Sequence, residues 1–276
     1  MIVLSEFGLA LNRISIFSVT SAMSLKEIFK WVLGVWALQG TIAVAGDLHS
    51  SGFFYDVHYY RYSEPGFMTE NSRLPAISVG FRDESALRQP DEHRVFAGTL
   101  EASLGPIRYR GSGERNSAFY KFLAELYYPV YKDAYLVYVG LGYRMLFDNL
   151  GPGVTTTGAG GYDRLSQYVY IPIGVFSRLD DGSGLKAQLN LLARGRQKSF
   201  FTQIAGYGND PENDQKTGYG LEFSYTTPDG GWEVYARHWG IRNSSQASVY
   251  QSDGTQSGTA IEPKNTTTEV GVRFAF

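Results

Sequence analysis

The chain has 276 residues, with 25 Lys and Arg against 27 Asp and Glu, a net charge of −2. That balance supplies no field for a polyanion, so nucleic acid is set aside as a partner. The absence of cysteine removes disulfide frameworks and thiol chemistry. The slightly negative mean hydropathy would mark a soluble protein, except that spanning strands with one polar, lumen-facing side give the same average.

Residues 23–47, "MSLKEIFKWVLGVWALQGTIAVAGD", have the order of an export signal. Lys26 and Lys30 are the positive segment, residues 31–44 the apolar core, and Ala43 and Ala45 the small-x-small site before a cut at Gly46. The run is short for a span of ~20 residues and contains Gln39 and Gly40, which argues against an anchoring helix. The 22 residues ahead of Met23 do not suit a signal, so translation is expected to start at Met23. Residues 1–45 are read as upstream segment and signal peptide, and 46–276 as the mature domain. The longest later apolar run, "AYLVYVGLGYRMLF", is too short for a membrane helix and carries Arg144.

Period-two alternation then recurs along the chain. It predicts strands over 53–62, 74–82, 94–104, 118–129, 134–146, 164–177, 184–196, 217–226, 231–242 and 267–276. Each meets or slightly exceeds the ~9–11 residues of a tilted spanning strand. In "LKAQLNLLARGR", Leu185, Ala187, Leu189, Leu191 and Ala193 share one face, and Lys186, Gln188, Asn190, Arg194 and Arg196 the other. In "AYLVYVGLGYRM", Tyr135, Val137, Val139, Leu141 and Tyr143 oppose Gly140, Gly142 and Arg144. The last stretch, "TTTEVGVRFAF", sets Val270, Val272, Phe274 and Phe276 against Glu269, Gly271, Arg273 and Ala275.

The links alternate as well. Loops are expected at 63–73, 105–117, 147–163, 197–216 and 243–266. Tight turns are expected at 83–93, "PVYKD", "LDDGSG" and "TPDGG", whose Gly, Pro and Asp are hairpin residues. From the third link pair onward long loops lie on one side and tight turns on the other, which, with an even strand count, fits an outer-membrane barrel with both termini periplasmic. Hydrocarbon leaves no partner for an open sheet edge, so the terminal strand must pair with "GFFYDVHYYRY".

On these residues the chain resembles the Gram-negative outer-membrane β-barrels. The alternating segment ending in Phe276 is similar to their assembly signal, with Val270, Val272, Phe274 and Phe276 on its apolar face. The resemblance implies an all-β, transmembrane, antiparallel up-and-down barrel of about ten strands, with eight or twelve as neighbours. It also implies location in the outer membrane, and outer-membrane lipid and the barrel-assembly machinery as partners.

With the apolar face outward, the lumen receives Asp56, His58, Glu101, Lys121, Glu125, Arg144, Arg164, Lys186, Arg194, Arg196, Glu222, Glu233, Arg237, Glu269 and Arg273, joined by Tyr60, Tyr168, Tyr170 and Gln188. A ten-strand bore is little wider than one that side chains fill, so these charges are expected to pair and plug it. Tyr55, Tyr59, Tyr120, Tyr128, Tyr135, Tyr219 and Trp232 fall near strand ends, where interfacial girdles sit.

Catalytic candidates are few. Asp56 and His58 share one strand face; such a pair activates water in barrel proteases of the omptin family, a fold-level analogy. His238, before Asn243, Ser244 and Ser245, is set against the His/Ser arrangement of lipid A deacylases, but Trp239 to Arg242 intervene and its register faces lipid. His49 and His93 have no partner in the pattern. Asp210, Glu212 and Asp214 in "GNDPENDQ" lack the register of a calcium loop, and "GPGVTTTGAGGYD" lacks the context of a phosphate cradle. No metal and no cofactor are expected. Three roles fit: a structural or adhesive surface barrel contacting an extracellular ligand through loops 147–163, 197–216 and 243–266; a small porin; or a barrel enzyme acting on lipid or peptide.

Overall fold

A strand whose odd positions are apolar and whose even positions are charged can only rest between oil and a polar interior, and ten such strands close on one another. The computed structural model describes residues 51–88, 96–132 and 135–276. The signal segment, His49 and His93 lie outside the described residues.

The strands are β1 (Ser51–Glu64), β2 (Met68–Ser72), β3 (Ala76–Asp83), β4 (Ala97–Arg110), β5 (Glu114–Lys132), β6 (Tyr135–Asn149), β7 (Gly153–Val154), β8 (Gly160–Gly161), β9 (Arg164–Arg178), β10 (Gly184–Ser199), β11 (Glu212–Gln215), β12 (Gly218–Thr226), β13 (Trp232–Ile241), β14 (Gln246–Tyr250), β15 (Gln256–Ile261) and β16 (Asn265–Ala275). All main-sheet pairings are antiparallel. The ring runs β1, β3, β4, β5, β6, β9, β10, β12, β13, β16 and back to β1, a closed ten-strand barrel. β2 and β11 extend two of its staves at the end of the long loops.

Closure is made by β1 and β16 in unbroken register, from Phe54 against Ala275 to Ser63 against Thr266. The Phe276 N–H adds a bond to the Phe53 carbonyl at 3.1 Å. Outside the seam, Tyr55 stacks on Phe274 and Phe53 on Phe276. Val270 and Phe276 are exposed, and Val272 and Phe274 are half-buried among neighbouring outward side chains.

The strands outlast the predicted ones at the loop end. The expected loop 105–117 is strand instead: β4 runs to Arg110 and β5 restarts at Glu114 across a three-residue tip, where Gly113 takes φ 148°. The 63–73 loop contains β2, 147–163 the β7–β8 hairpin, 197–216 a 3-10 turn and β11, and 243–266 the β14–β15 hairpin. Backbone polar groups in long loops need partners, and pairing the loops with one another supplies them. Gly208 donates to Tyr250 O at 2.9 Å, and Asn213 Nδ2 donates to Ser245 O and Ala260 O.

At the turn end, the described part of the 83–93 link is not a plain turn. Asp83 accepts bonds from the Ser85 N–H and hydroxyl and starts the single helical turn α1 (Ser85–Arg88). Its Ala86 and Leu87 are buried with Ala97, Tyr127, Leu136, Tyr138 and Phe176, an apolar cluster inside that end of the bore.

A second correction concerns Arg194 and Arg196. Leu192 pairs with Tyr170 but Arg194 with Val169, so Ala193 is the extra residue of a β-bulge. One inserted residue flips the faces beyond it. Arg194 is therefore exposed, and Arg196 is half-exposed in an ion pair with Glu212. Neither faces the lumen.

Inward glycines set where large rings go. Gly80 stands opposite Phe54, Gly142 opposite Tyr170, Gly174 opposite Tyr138 and Gly220 opposite Trp239. In each pair the ring lies where a β-carbon on the glycine would be, at 2.2 to 2.8 Å. Strand glycine marks such close approach. Gly142→Val is expected to displace the Tyr170 ring and lower stability by about 1–3 kcal/mol, the usual cost of overpacking, read as a lower urea midpoint with unchanged slope in micelles.

Candidate functional site: the charged bore

Alternation directs every second side chain of ten strands into one bore, and the charges there are buried from solvent. The structure buries Asp56, His58, Glu101, Lys121, Glu125, Arg144, Arg164, Lys186, Glu222, Glu233, Arg237, Glu269 and Arg273. Tyr60, Tyr168, Tyr170 and Gln188 are buried with them.

Glu101 on β4 is the hub. Its carboxylate takes Lys121 Nζ from β5 at 2.9 Å, Arg237 Nη1 from β13 at 2.9 Å and Arg273 Nη2 from β16 at 2.9 Å. From there the pairs spread. Arg237 Nε reaches Glu222 at 2.6 Å, and Glu222 also holds Lys186 at 3.1 Å. Arg273 Nη1 reaches Glu233 at 2.8 Å, and Glu233 also takes Arg82 at 2.8 Å. Lys121 bonds Glu269, which Arg144 approaches to 3.7 Å. β6 and β16 are five staves apart around the ten-stave ring, so the Arg144–Glu269 contact crosses the full bore.

Neutral groups finish the filling. Glu125 accepts from Tyr170 at 2.8 Å and Gln188 Nε2 at 2.9 Å, as well as from Tyr127. Tyr138 donates to Gln188 at 2.8 Å. Arg144 stacks on Trp239, and Arg273 lies 4.3 Å from the Phe54 ring centroid. Buried ions persist when paired and hydrogen-bonded; the network pairs each cation with a carboxylate, while Asp56 Oδ2, Arg82 Nη2, Arg144 Nη2 and Arg273 Nε make no hydrogen bond among the described residues.

Sequence reasoning missed several members. Arg82 is the continuation of the inward register Ala76, Ser78, Gly80, and carrying the alternation of β1 and β6 outward by one more period would have found Glu64 and Asp148. Glu70 and Glu262 lie in predicted loops and carry no periodic signal. These four carboxylates form a separate cluster on Arg164 at the loop end. Arg164 Nη2 bonds Glu70 at 3.0 Å and Asp148 at 2.9 Å, while Nη1 bonds Glu64 and approaches Glu262 to 4.0 Å.

Of the catalytic candidates, the structure brings Asp56 and His58 together and leaves His238 apart. Asp56 Oδ1 lies 2.8 Å from His58 Nδ1, and the Ser78 hydroxyl approaches the same nitrogen at 3.4 Å. Ser78 is not placed as a nucleophile, which would need the ring nitrogen opposite Asp56; His58 Nε2, the nitrogen that would face a water, is buried without a hydrogen-bond partner among the described residues. His238, half-buried on the outer face, bonds Thr268 Oγ1 at 3.0 Å. Asp210, Glu212 and Asp214 do not converge: Asp210 accepts from Thr202 and pairs with Lys198, and Glu212 pairs with Arg196. The Thr202 bonds and Lys198 hold the Asp210 carboxyl below its usual range against the opposing effect of partial burial. Among the described residues, no group of three His, Asp or Glu has metal-holding geometry.

Outside, the predicted girdle residues Tyr55, Tyr59, Tyr120, Tyr128, Tyr135, Tyr219 and Trp232 are all exposed. Between them lie exposed Val57, Val79, Leu141, Ile171, Ile173, Leu189, Phe223 and Val234. An apolar belt of this extent on a closed barrel is a surface made for lipid.

No described protein family matches the chain, and no curated protein matches it. Solved structures that resemble it include the outer membrane protease OmpT of Escherichia coli (11% identity, covering 85% of this chain and 99% of that one, TM-score 0.48). Others are the translocator domain of the autotransporter NalP of Neisseria meningitidis (10%, 90% and 96%, 0.35) and an outer membrane channel of Pseudomonas putida F1 (11%, 85% and 100%, 0.32).

Because Glu101 answers three cations, removing its charge leaves them in excess where no water can compensate. Glu101→Gln is expected to cost about 3–5 kcal/mol, measured by urea unfolding of the micelle-bound barrel. Closed on itself, belted by apolar side chains and filled by paired charges, the chain has the architecture of a small outer-membrane β-barrel.

Proposed function

We propose that the chain is a non-enzymatic outer-membrane barrel whose bore is a permanent plug and whose loop end is its working surface. The observation that carries this reading is the set of ion pairs across the bore, with Glu101 holding residues from three other staves and Arg144 reaching Glu269 on the opposite wall. A solute path would have to break several buried pairs in series, each costing kilocalories to separate. The apolar cluster under α1 supports the reading at the turn end.

In this reading the short turns and both termini face the periplasm, and segments 147–163, 197–216 and 243–266 face outward. These segments are fastened to each other. Gln203 Nε2 donates to Asp163 Oδ2 at 2.8 Å, Tyr207 bridges Gln251, and Asn209 Nδ2 donates to Ser248 O at 2.9 Å. The result is a braced platform with Val154, Tyr207, Tyr250 and Ile261 exposed on it. A preorganised surface of this kind loses less entropy on binding an extracellular ligand than free loops would.

Purified barrel in planar bilayers is expected to give no steady open-channel current at moderate voltage; stable unitary conductance would establish the porin reading instead. The seam gives a second expectation, for the barrel-assembly machinery as partner. Phe276→Ser should reduce the yield of assembled, heat-modifiable barrel in cells severalfold while leaving refolding in micelles intact. Equal loss in both settings would assign Phe276 to stability alone.

A further inference from the structure

The cluster on Arg164 is built unlike the bore beneath it. In the bore, Asp56, Glu101, Glu222, Glu233 and Glu269 meet Arg82, Lys121, Arg144, Lys186, Arg237 and Arg273, with Glu84 beside Arg82 and Glu125 held by Tyr127, Tyr170 and Gln188. At the loop end, Glu64, Glu70, Asp148 and Glu262 share the single guanidinium of Arg164, and all five side chains are buried. Four ionised carboxylates on one cation, out of water, are not a stable arrangement; some must keep their protons.

The hydrogen bonds say where. The Tyr62 hydroxyl lies 2.8 Å from Glu64 Oε1 and 3.0 Å from Glu262 Oε1. A hydroxyl has one hydrogen. Two carboxyl oxygens converging on it need a second proton among them, and that proton belongs to a carboxyl group. A separate observation marks the same place as short of a partner: Tyr60, wholly buried next to Glu70 and Asp148, has a hydroxyl with no hydrogen-bond partner.

Glu262 is also where the outermost hairpin is attached. It ends the segment after β15, its N–H bonds Ser244 Oγ at 2.8 Å, and its carbonyl accepts from Ser244 N–H at 3.0 Å. Its carboxyl alone of the four comes from the β14–β15 arm rather than from the strands below. Gln197 on β10 donates to its other oxygen.

We infer that Glu262 is a proton-operated latch, in which its protonated carboxyl holds the β14–β15 hairpin down on the loop end of the barrel and its ionisation releases that hairpin. The groups facing it are Glu64 and Tyr62 from β1, Arg164 and Tyr168 from β9, and Tyr162 from the segment before β9; Glu70 and Asp148 act through Arg164. No histidine is among them. Burial, and then the Glu64 charge, push the Glu262 carboxyl up to about 8 against the partial relief from Arg164. Burial and the Asp148 charge raise Glu70 as well. A carboxyl raised in the docked state favours docking while it is protonated. Docking is thus strongest below the ordinary carboxylate range and is lost as the pH climbs through about 8. The latch acts on top of the bonds from residues 207–213 that also hold the hairpin, and it stands whether or not the bore conducts.

The chain has no cysteine, so a single nitroxide on Thr255→Cys, between β14 and β15, reports the hairpin alone in the full barrel. From pH 5 to 9 its mobile fraction is expected to rise with a midpoint near 8, changing by up to about tenfold per pH unit for one linked proton. Glu262→Gln keeps the neutral shape and should hold the label immobile through pH 9. Glu64→Gln, which removes the carboxylate that competes with Glu262, should do the same and serves if the first variant does not assemble. A flat wild-type profile, or variants titrating like wild type, would overturn the latch.

Discussion

Parity is the constraint on which the rest depends. Once β16 pairs with β1 and the ring is closed, each residue has two possible surroundings, lipid or bore, and its position modulo two decides which. Nothing else explains why buried Asp56 can be adjacent to exposed Tyr55 and Val57. Closure also removes sheet edges, so the backbone makes no demand on lipid, and all remaining polarity is confined to the inward face. Charge pairing in the bore is then obligatory. The cations of β13 and β16 alternate with carboxylates along the seam between those strands, Arg237 opposite Glu269 and Arg273 opposite Glu233, and both arginines also reach Glu101 of β4.

Volume is regulated by a second pairing rule. The bore of a ten-strand barrel is too narrow for a large side chain at every inward position, and the sequence alternates the load across strands. Phe54, Tyr138, Tyr170 and Trp239 each lie over a glycine on the neighbouring strand. The glycines are therefore as much a part of the packing as the rings: they let a ring lie flat against the wall and bring its hydroxyl to a charge at the centre, as Tyr170 does for Glu125. This also accounts for a glycine content that would otherwise seem to weaken strands.

Much of this was legible in the sequence, and the failures have physical causes. The ten staves, the seam, the outward aromatics and most of the ionic bore follow from alternation, because a lipid-facing strand tolerates few errors in it. Arg194 and Arg196 were misplaced because a bulge leaves no mark on composition: "LLARGR" alternates as well with Ala193 inserted as without it. The loop at 105–117 was misread since above the lipid the alternation no longer has to be apolar, and Arg108 and Arg110 on the outer face look like loop residues although they pair with Glu114 across a hairpin. Glu70 and Glu262 were out of reach altogether. Their burial is created by distant segments folding over them, a tertiary fact with no local signature.

The contrast between the two ionic layers follows from where each lies along the barrel. In the bore no solvent reaches Glu101 or Lys121, and every cation has at least one carboxylate beside it. At the loop end, the same burial is tolerated with four carboxylates on one arginine, because that layer lies next to water and one of its members, Glu262, arrives on an arm that can leave. An imbalance is stable there only as long as protons make up the difference. Stability in the bore is thus a matter of geometry, fixed when the barrel closes, while at the mouth it is a matter of proton activity in the surrounding medium. One fold carries both, because the strands that must cross lipid continue beyond it.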